Sequence, residues 1–156
     1  QVEGVKHLIS LGFVDPARVG ITGWSYGGYM TLTALLHAPD VFKAGISGAP
    51  VTDWRHYDTI YTERYMGLPS ENEAGYRESS PVHHAAKLKG KLLLVHNYGD
   101  DNVLYQNNLH MQIALQNAGK HFELLVYPQK AHGVTGPLSR HMREAMLDFF
   151  ERNLKL

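Results

Sequence analysis

Apolar residues along this chain recur at helical steps near both ends and gather in short unbroken runs between them. Val2, Val5, Leu8, Ile9 and Phe13 fall three or four residues apart, and Gly12 closes the run, which predicts an opening helix. Asp15-Pro16 marks a turn into a short β-type run over 19–22. Residues 29–37 read as a buried helix ended by Pro39, and 42–47 as a short apolar strand stopped by Gly48-Ala49-Pro50. An aromatic-rich excursion follows over 51–76, in which Trp54, Tyr57, Tyr61, Tyr65 and Met66 recur at three- and four-residue steps. It runs out through Gly67-Leu68-Pro69 into a polar stretch over 70–80. Residues 91–96 form a continuous apolar run, the mark of a strand buried on both faces. An amphipathic helix is expected over 103–118, capped by Gly119, then a strand over 122–127. A final helix is expected over 137–154 with Met142, Met146, Phe149 and Phe150 turned inward.

Four strands alternating with helices predict an α/β protein with a mostly parallel sheet covered on both faces. In such sheets reactive groups collect at the carboxyl ends of the strands, so the residues just past each run matter most. The first run leads into Gly23-Trp24-Ser25-Tyr26-Gly27, a Gly-x-Ser-x-Gly sequence followed by a helical pattern. That context describes a sharp strand-to-helix turn that lifts a serine hydroxyl clear of the sheet. Strand and helix backbones nearly touch at such a turn, giving Gly23 and Gly27 a steric reason to be glycine. The helix start behind Ser25 leaves unpaired N–H groups, which makes the Tyr26 N–H a candidate oxyanion donor.

Gly99-Asp100-Asp101-Asn102 follows the third strand and Ala131-His132-Gly133 the fourth. Ser, Asp and His therefore appear in the chain order of an α/β-hydrolase triad, each after a strand end. A serine hydroxyl is a poor nucleophile at neutral pH and needs a base, and the base needs a third group to hold its tautomer. His132 is the candidate base. Asp100 is the candidate acid with Asp101 as its competitor, and His96, at a strand end, is read as structural support for the acid loop. No metal or other cofactor is expected: His83-His84 is adjacent rather than at ligand spacing.

Composition narrows the class without choosing within it. The 156 residues suffice for one domain with a real core, at 44% apolar and 19% charged. Fifteen basic and fifteen acidic residues balance, which argues against nucleic acid or an anionic membrane surface as the main partner. No apolar run approaches about 18 residues, the length that spans a bilayer. There is no cysteine, so disulfides, thiolate metal sites and a cysteine nucleophile are excluded and the compartment is left open.

The same residues resemble the catalytic domain of the prolyl oligopeptidase family, in its dipeptidyl peptidase IV branch, over nearly the whole chain. The pieces that carry this are Gly23-Trp24-Ser25-Tyr26-Gly27-Gly28-Tyr29, Ala49-Pro50-Val51-Thr52-Asp53-Trp54, Tyr57-Asp58, Tyr61-Thr62-Glu63-Arg64-Tyr65-Met66-Gly67, Asp100-Asp101-Asn102-Val103 and His132-Gly133. The resemblance implies an α/β-hydrolase fold and a serine peptidase that cleaves after proline near the amino terminus of peptides. It makes Ser25 the nucleophile, Asp100 the acid and His132 the base. Asn102 becomes the contact to the P2 carbonyl. Tyr26, Val51, Trp54, Tyr57, Tyr61 and Val103 become the P1 pocket. Aromatic walls suit a flat apolar ring. Tyr65 is left to ordinary helix packing.

The chain also departs from that pattern. His96-Asn97 stands where His-Gly is usual, and Tyr98-Gly99 where a small pair is. The chain is expected to be the C-terminal part of the hydrolase domain, 1–156. It would lack the β-propeller, the first strands and the tyrosine that would be the second oxyanion donor, whose loss costs on the order of a hundred- to a thousand-fold in rate. One edge of the first strand would then be bare, so a homo-oligomer, or association with the missing part, is expected. Two other functions fit the same residues: an esterase or acylaminoacyl peptidase, or an inactive fragment serving as an interaction module.

Overall fold

The structure, a computed structural model, describes residues 1–155. Its centre is a four-stranded, fully parallel sheet in the order β1 (Gly20–Trp24), β2 (Ala44–Gly48), β3 (Lys91–Asn97), β4 (Glu123–Tyr127). The run over 91–96 explains why this strand lies inside. From Leu92 to Asn97 every residue of β3 is buried, and successive side chains serve opposite faces. Leu92 and Leu94 join a cluster with Leu32, Leu35 and Leu36 of α2 (Tyr26–His37) and Met111 and Leu115 of α5 (Gln106–Asn117). Leu93 and Val95 join the opposite cluster with Ala44, Ile46 and Phe149, the last from α6 (Pro137–Leu154). Each Leu, Ile, Val, Met or Phe side chain among these contributes roughly 1.5–3 kcal/mol by leaving water. The α/β-hydrolase class expected from the sequence, with helices on both faces of a parallel sheet, is the one found. No helix among the described residues is long and apolar enough to cross a membrane.

The register decides where the chemistry can sit. Trp24 is level with Gly48, Gly48 with Val95, and Asn97 with Tyr127. The loops that leave β1, β3 and β4 therefore emerge side by side at one end of the sheet. Between β2 and β3 the aromatic excursion folds into two short helices, α3 (Thr59–Met66) and α4 (Glu73–Ser79), over this same end. The expected bare edge is present: β1 is the outermost strand, and among the described residues none pairs with its far side.

Three expectations need correction. The opening helix, α1 (Val2–Ser10), packs Val2, Val5 and Ile9 against the core, but Leu8 is 45% and Phe13 71% exposed. Two of the five patterned residues therefore face solvent. The helix expected from residue 103 begins at Gln106, because the Asp100 carboxylate holds the preceding N–H groups in a turn. It is not simply amphipathic either. Its buried face carries Asn107 and Asn108, while Leu109 and Ile113 are exposed. Asn107 belongs inside because its Oδ1 accepts the Thr52 N–H at 3.0 Å and its carbonyl accepts the Thr52 hydroxyl at 2.7 Å. Those bonds fasten α5 to the segment after β2.

Candidate active site

Ser25 sits between the last residue of β1 and the first of α2 with φ 60° and ψ −118°. A non-glycine residue held at positive φ costs of order 1–3 kcal/mol and persists only where its surroundings impose it. Here they do. The Ser25 N–H donates to the Gly48 carbonyl at 2.8 Å, and the Ser47 hydroxyl donates to the Gly28 carbonyl at 2.8 Å. The crossing is so close that a Cβ on Gly23 would lie 2.3 Å from the Gly27 carbonyl oxygen, and one on Gly28 would lie 2.3 Å from the Gly48 oxygen. Sequence reasoning named Gly23 and Gly27. The second close approach belongs to Gly28 instead, since a Cβ on Gly27 would meet nothing within 4 Å. Tyr26 opens α2, so its N–H has no partner within the helix and lies next to the Ser25 hydroxyl in the chain.

The loop after β3 wraps around its own aspartate. Asp100 Oδ1 accepts the N–H groups of Asn102 and Val103, both at 3.0 Å. Oδ2 accepts His132 Nδ1–H at 2.8 Å. The Asp100 side chain is fully buried and that of His132 is 26% exposed. Asp101, the competitor, is exposed. With Nδ1 bonded to the carboxylate, the proton on the imidazole is fixed there, and Nε2 is left as the basic nitrogen. Among the described residues no hydrogen bond joins the Ser25 hydroxyl to this ring. Nucleophile–base bonds of this kind commonly tighten only once substrate is bound.

His96 completes the acid loop from below. It is fully buried, and its Nε2–H donates to the Val103 carbonyl at 2.8 Å while lying 3.4 Å from Asp100 Oδ2. Since Val103 O can only accept, the proton belongs on Nε2. Burial holds the pKa of His96 below its ordinary value, against the opposing pull of the Val103 carbonyl and Asp100. Nδ1 has no partner among the described residues. A neutral ring suits that environment.

Beside Ser25 lies a cavity of about 200 Å³ lined by Ser25, Tyr26, Val51, Trp54, Tyr57 and Tyr61. Its aromatic rings interlock: Trp54 and Tyr61 stack with centroids 6.1 Å apart, and Tyr57 meets both of them edge-on. Val103 is fully buried in the cluster behind, with Val51 and Trp54. The Tyr57 hydroxyl donates to Asn102 Oδ1 at 2.9 Å, tying the pocket wall to the acid loop, and burial raises the phenol's pKa so that it stays a donor. Tyr65 lies outside this cavity. It lines a neighbouring one of about 580 Å³ behind Tyr26, Trp54 and Tyr61. Among the described residues no group of three or more His, Cys, Asp or Glu side chains is placed to hold a metal ion.

The Peptidase_S9 family model, described as the prolyl oligopeptidase family, matches residues 1–156. The chain belongs to the prolyl oligopeptidase family. Among curated members of this family, dipeptidyl peptidase 8 of Homo sapiens is 45% identical over 159 residues, covering 99% of this chain and 18% of the relative. Dipeptidyl peptidase 4 of Felis catus is 40% identical over 160 residues, covering 100% of this chain and 21% of the relative. The chain thus spans about a fifth of the length of the curated relatives it matches. Two crystal structures superpose on nearly all of it. Dipeptidyl peptidase 4 of Porphyromonas gingivalis gives a TM-score of 0.94 at 43% identity, over 98% of this chain and 22% of that one. A putative dipeptidyl aminopeptidase IV of Bacteroides ovatus gives 0.96 at 41% identity, over the same shares.

Sequence reasoning did not pick out two residues that shape the site. Trp24 Nε1–H donates to the His132 carbonyl at 2.9 Å, and Asn97 Nδ2–H donates to the Ala131 carbonyl. Neither residue falls in a periodic pattern. Asn97 stood out only as a departure from the family's His-Gly.

Proposed function

We propose that this chain carries the catalytic centre of a serine peptidase, as the C-terminal part of an α/β-hydrolase catalytic domain, and that it cleaves after proline near the amino terminus of peptides. One observation carries the reading: the 2.8 Å bond from His132 Nδ1 to the buried Asp100, at the same end of the sheet as the strained Ser25. In this mechanism Ser25 Oγ attacks the carbonyl after P1 while His132 Nε2 takes its proton. Asp100 stabilises the imidazolium through Nδ1–H without itself taking the proton. The Tyr26 N–H donates to the oxyanion. His132 then passes its proton to the leaving amine as the peptide bond breaks, leaving an acyl group on Ser25. Water, deprotonated by His132, attacks that ester and releases the product acid. The catalytic cycle ends with Ser25 and His132 as they began.

The cavity beside Ser25 supports an apolar P1 residue of proline's size, and the relatives are named dipeptidyl peptidases. Among the described residues no carboxylate lines that cavity to fix a free amino terminus, which keeps an esterase or acylaminoacyl peptidase as the second reading. Xaa-Pro anilides, their N-acylated forms and short esters, assayed side by side with Ser25→Ala as the blank, separate the two. Hydrolysis confined to the free-amine Xaa-Pro substrates supports the first reading. Equal or faster turnover of acylated peptides or esters supports the second. Rates unaffected by Ser25→Ala would discard both and leave an interaction module.

A further inference from the structure

The loop that carries His132 has almost no backbone bonding of its own. Lys130 N–H reaches the Tyr127 carbonyl at 3.3 Å, and among the described residues no backbone-to-backbone bond involves 131–134. Two side-chain donors supply what the backbone does not. Trp24 grips the His132 carbonyl and Asn97 the Ala131 carbonyl, the neighbouring peptide group. Their positions are telling. Trp24 immediately precedes Ser25 on β1, and Asn97 ends β3 three residues before Asp100. The pairing of Asn97 with Tyr127 brings its side chain alongside the end of β4, where the loop begins.

Asn97 is an unfavourable residue to keep there for stability alone. It is fully buried, and its Oδ1 finds no partner among the described residues. A buried amide with one end unmet costs free energy that an apolar residue of similar size avoids. What the bond does supply is a fixed place for the peptide group beside His132.

We propose that Asn97 and Trp24 are positioning residues. One ties the backbone at His132 to the strand of the acid and the other ties it to the strand of the nucleophile, and together with Asp100 they set where the imidazole stands relative to Ser25. The inference rests on the triad reading of Ser25, Asp100 and His132.

Asn97→Leu tests it, since leucine keeps the number and branching of the side-chain heavy atoms, removes the donor and removes the orphaned acceptor. The thermal midpoint is expected to hold or rise. kcat for the best substrate falls about 10- to 100-fold with KM within about twofold, the size of effect that a small misplacement of a catalytic group produces. Trp24→Phe moves kcat the same way. The double variant loses less than the product of the single losses, because both bonds secure one loop. A readout independent of turnover accompanies these: amide order parameters for 131–134 and the water-exchange rate of the His132 Nδ1 proton, by NMR. In Asn97→Leu the order parameters drop from about 0.85 towards 0.6 and the exchange accelerates. Unchanged loop order and unchanged kcat overturn the proposal. So does a kcat loss that comes with a lowered thermal midpoint and an unaltered loop, which is a purely structural role. A parent chain that hydrolyses nothing, yet whose loop loosens in Asn97→Leu, upholds the positioning and refutes the peptidase reading instead.

Discussion

Replacing Asp100 with asparagine changes one atom in a place where four groups converge. Oδ1 accepts two backbone N–H groups at 3.0 Å, and Oδ2 accepts His132 Nδ1–H at 2.8 Å with His96 Nε2 at 3.4 Å. An asparagine must keep its oxygen towards the two backbone donors, since its NH2 there would face them donor to donor. The NH2 is thereby turned to His132 Nδ1, which must become the acceptor. The imidazole proton moves to Nε2, and the ring can no longer take a proton from Ser25. Fold stability should barely change, because the two backbone bonds that shape the loop survive. Catalysis should fall by about four orders of magnitude, which at 1.36 kcal/mol per tenfold is about 5.4 kcal/mol of lost transition-state stabilisation. Steady-state kcat/KM for the best substrate, with urea unfolding as the control for folding, measures both quantities. Asp101→Asn, at an exposed neighbour, should cost less than about threefold, in keeping with ordinary surface substitutions. If Asp101→Asn fell further than Asp100→Asn, or if Asp100→Asn kept more than a tenth of its activity, the assignment of the acid and the tautomer argument would both fail.

Three further outcomes follow from the same geometry. Tyr57→Phe removes the hydroxyl that holds Asn102 Oδ1. A net loss of about 0.5–1.5 kcal/mol should raise KM some 2- to 10-fold, with kcat changing less than KM in the same steady-state measurement. Gly23→Ala drives a Cβ into the Gly27 carbonyl and should lower the thermal midpoint steeply, while Gly27→Ala, which meets open space, should leave it level or raise it, helix interiors favouring alanine by about 1 kcal/mol. Finally, burial depresses the His96 pKa below its unfolded value near 6.5. At pH below about 6.5 the unfolded chain therefore binds a proton that the folded chain refuses. The stability contributed by the neutral ring is complete above that pH and is lost as pH falls towards the folded pKa. Urea unfolding of the parent and of His96→Asn between pH 7.5 and 5.5 should show the steeper acid loss in the parent. Parallel curves would remove His96 from the account.

Much of the site was legible because its chemistry depends on local sequence. A strand, a Gly-x-Ser-x-Gly turn and a helix state their geometry within a dozen residues, and the structure returns that turn with Ser25 at positive φ. The unbroken run over 91–96 likewise states that both faces of β3 are covered. The residues that periodicity misread are those whose partners lie far off in sequence. Asn107 and Asn108 look like solvent positions until Thr52, 55 residues before Asn107, takes up the bonds of Asn107. Phe13 and Leu8 fit a helical stripe, but the stripe is narrower than the pattern. Trp24 and Asn97 act on carbonyls 108 and 34 residues away, and no local pattern announces a donor for a distant backbone oxygen.

The most direct test of the central claim is to label the folded chain with a fluorophosphonate and locate the adduct by intact and peptide mass spectrometry. The account predicts a single adduct on Ser25, abolished in Ser25→Ala and strongly slowed in His132→Ala. A well-folded sample that takes up no label, or takes it up elsewhere, would contradict the claim that Ser25, His132 and Asp100 form a working nucleophile in this chain.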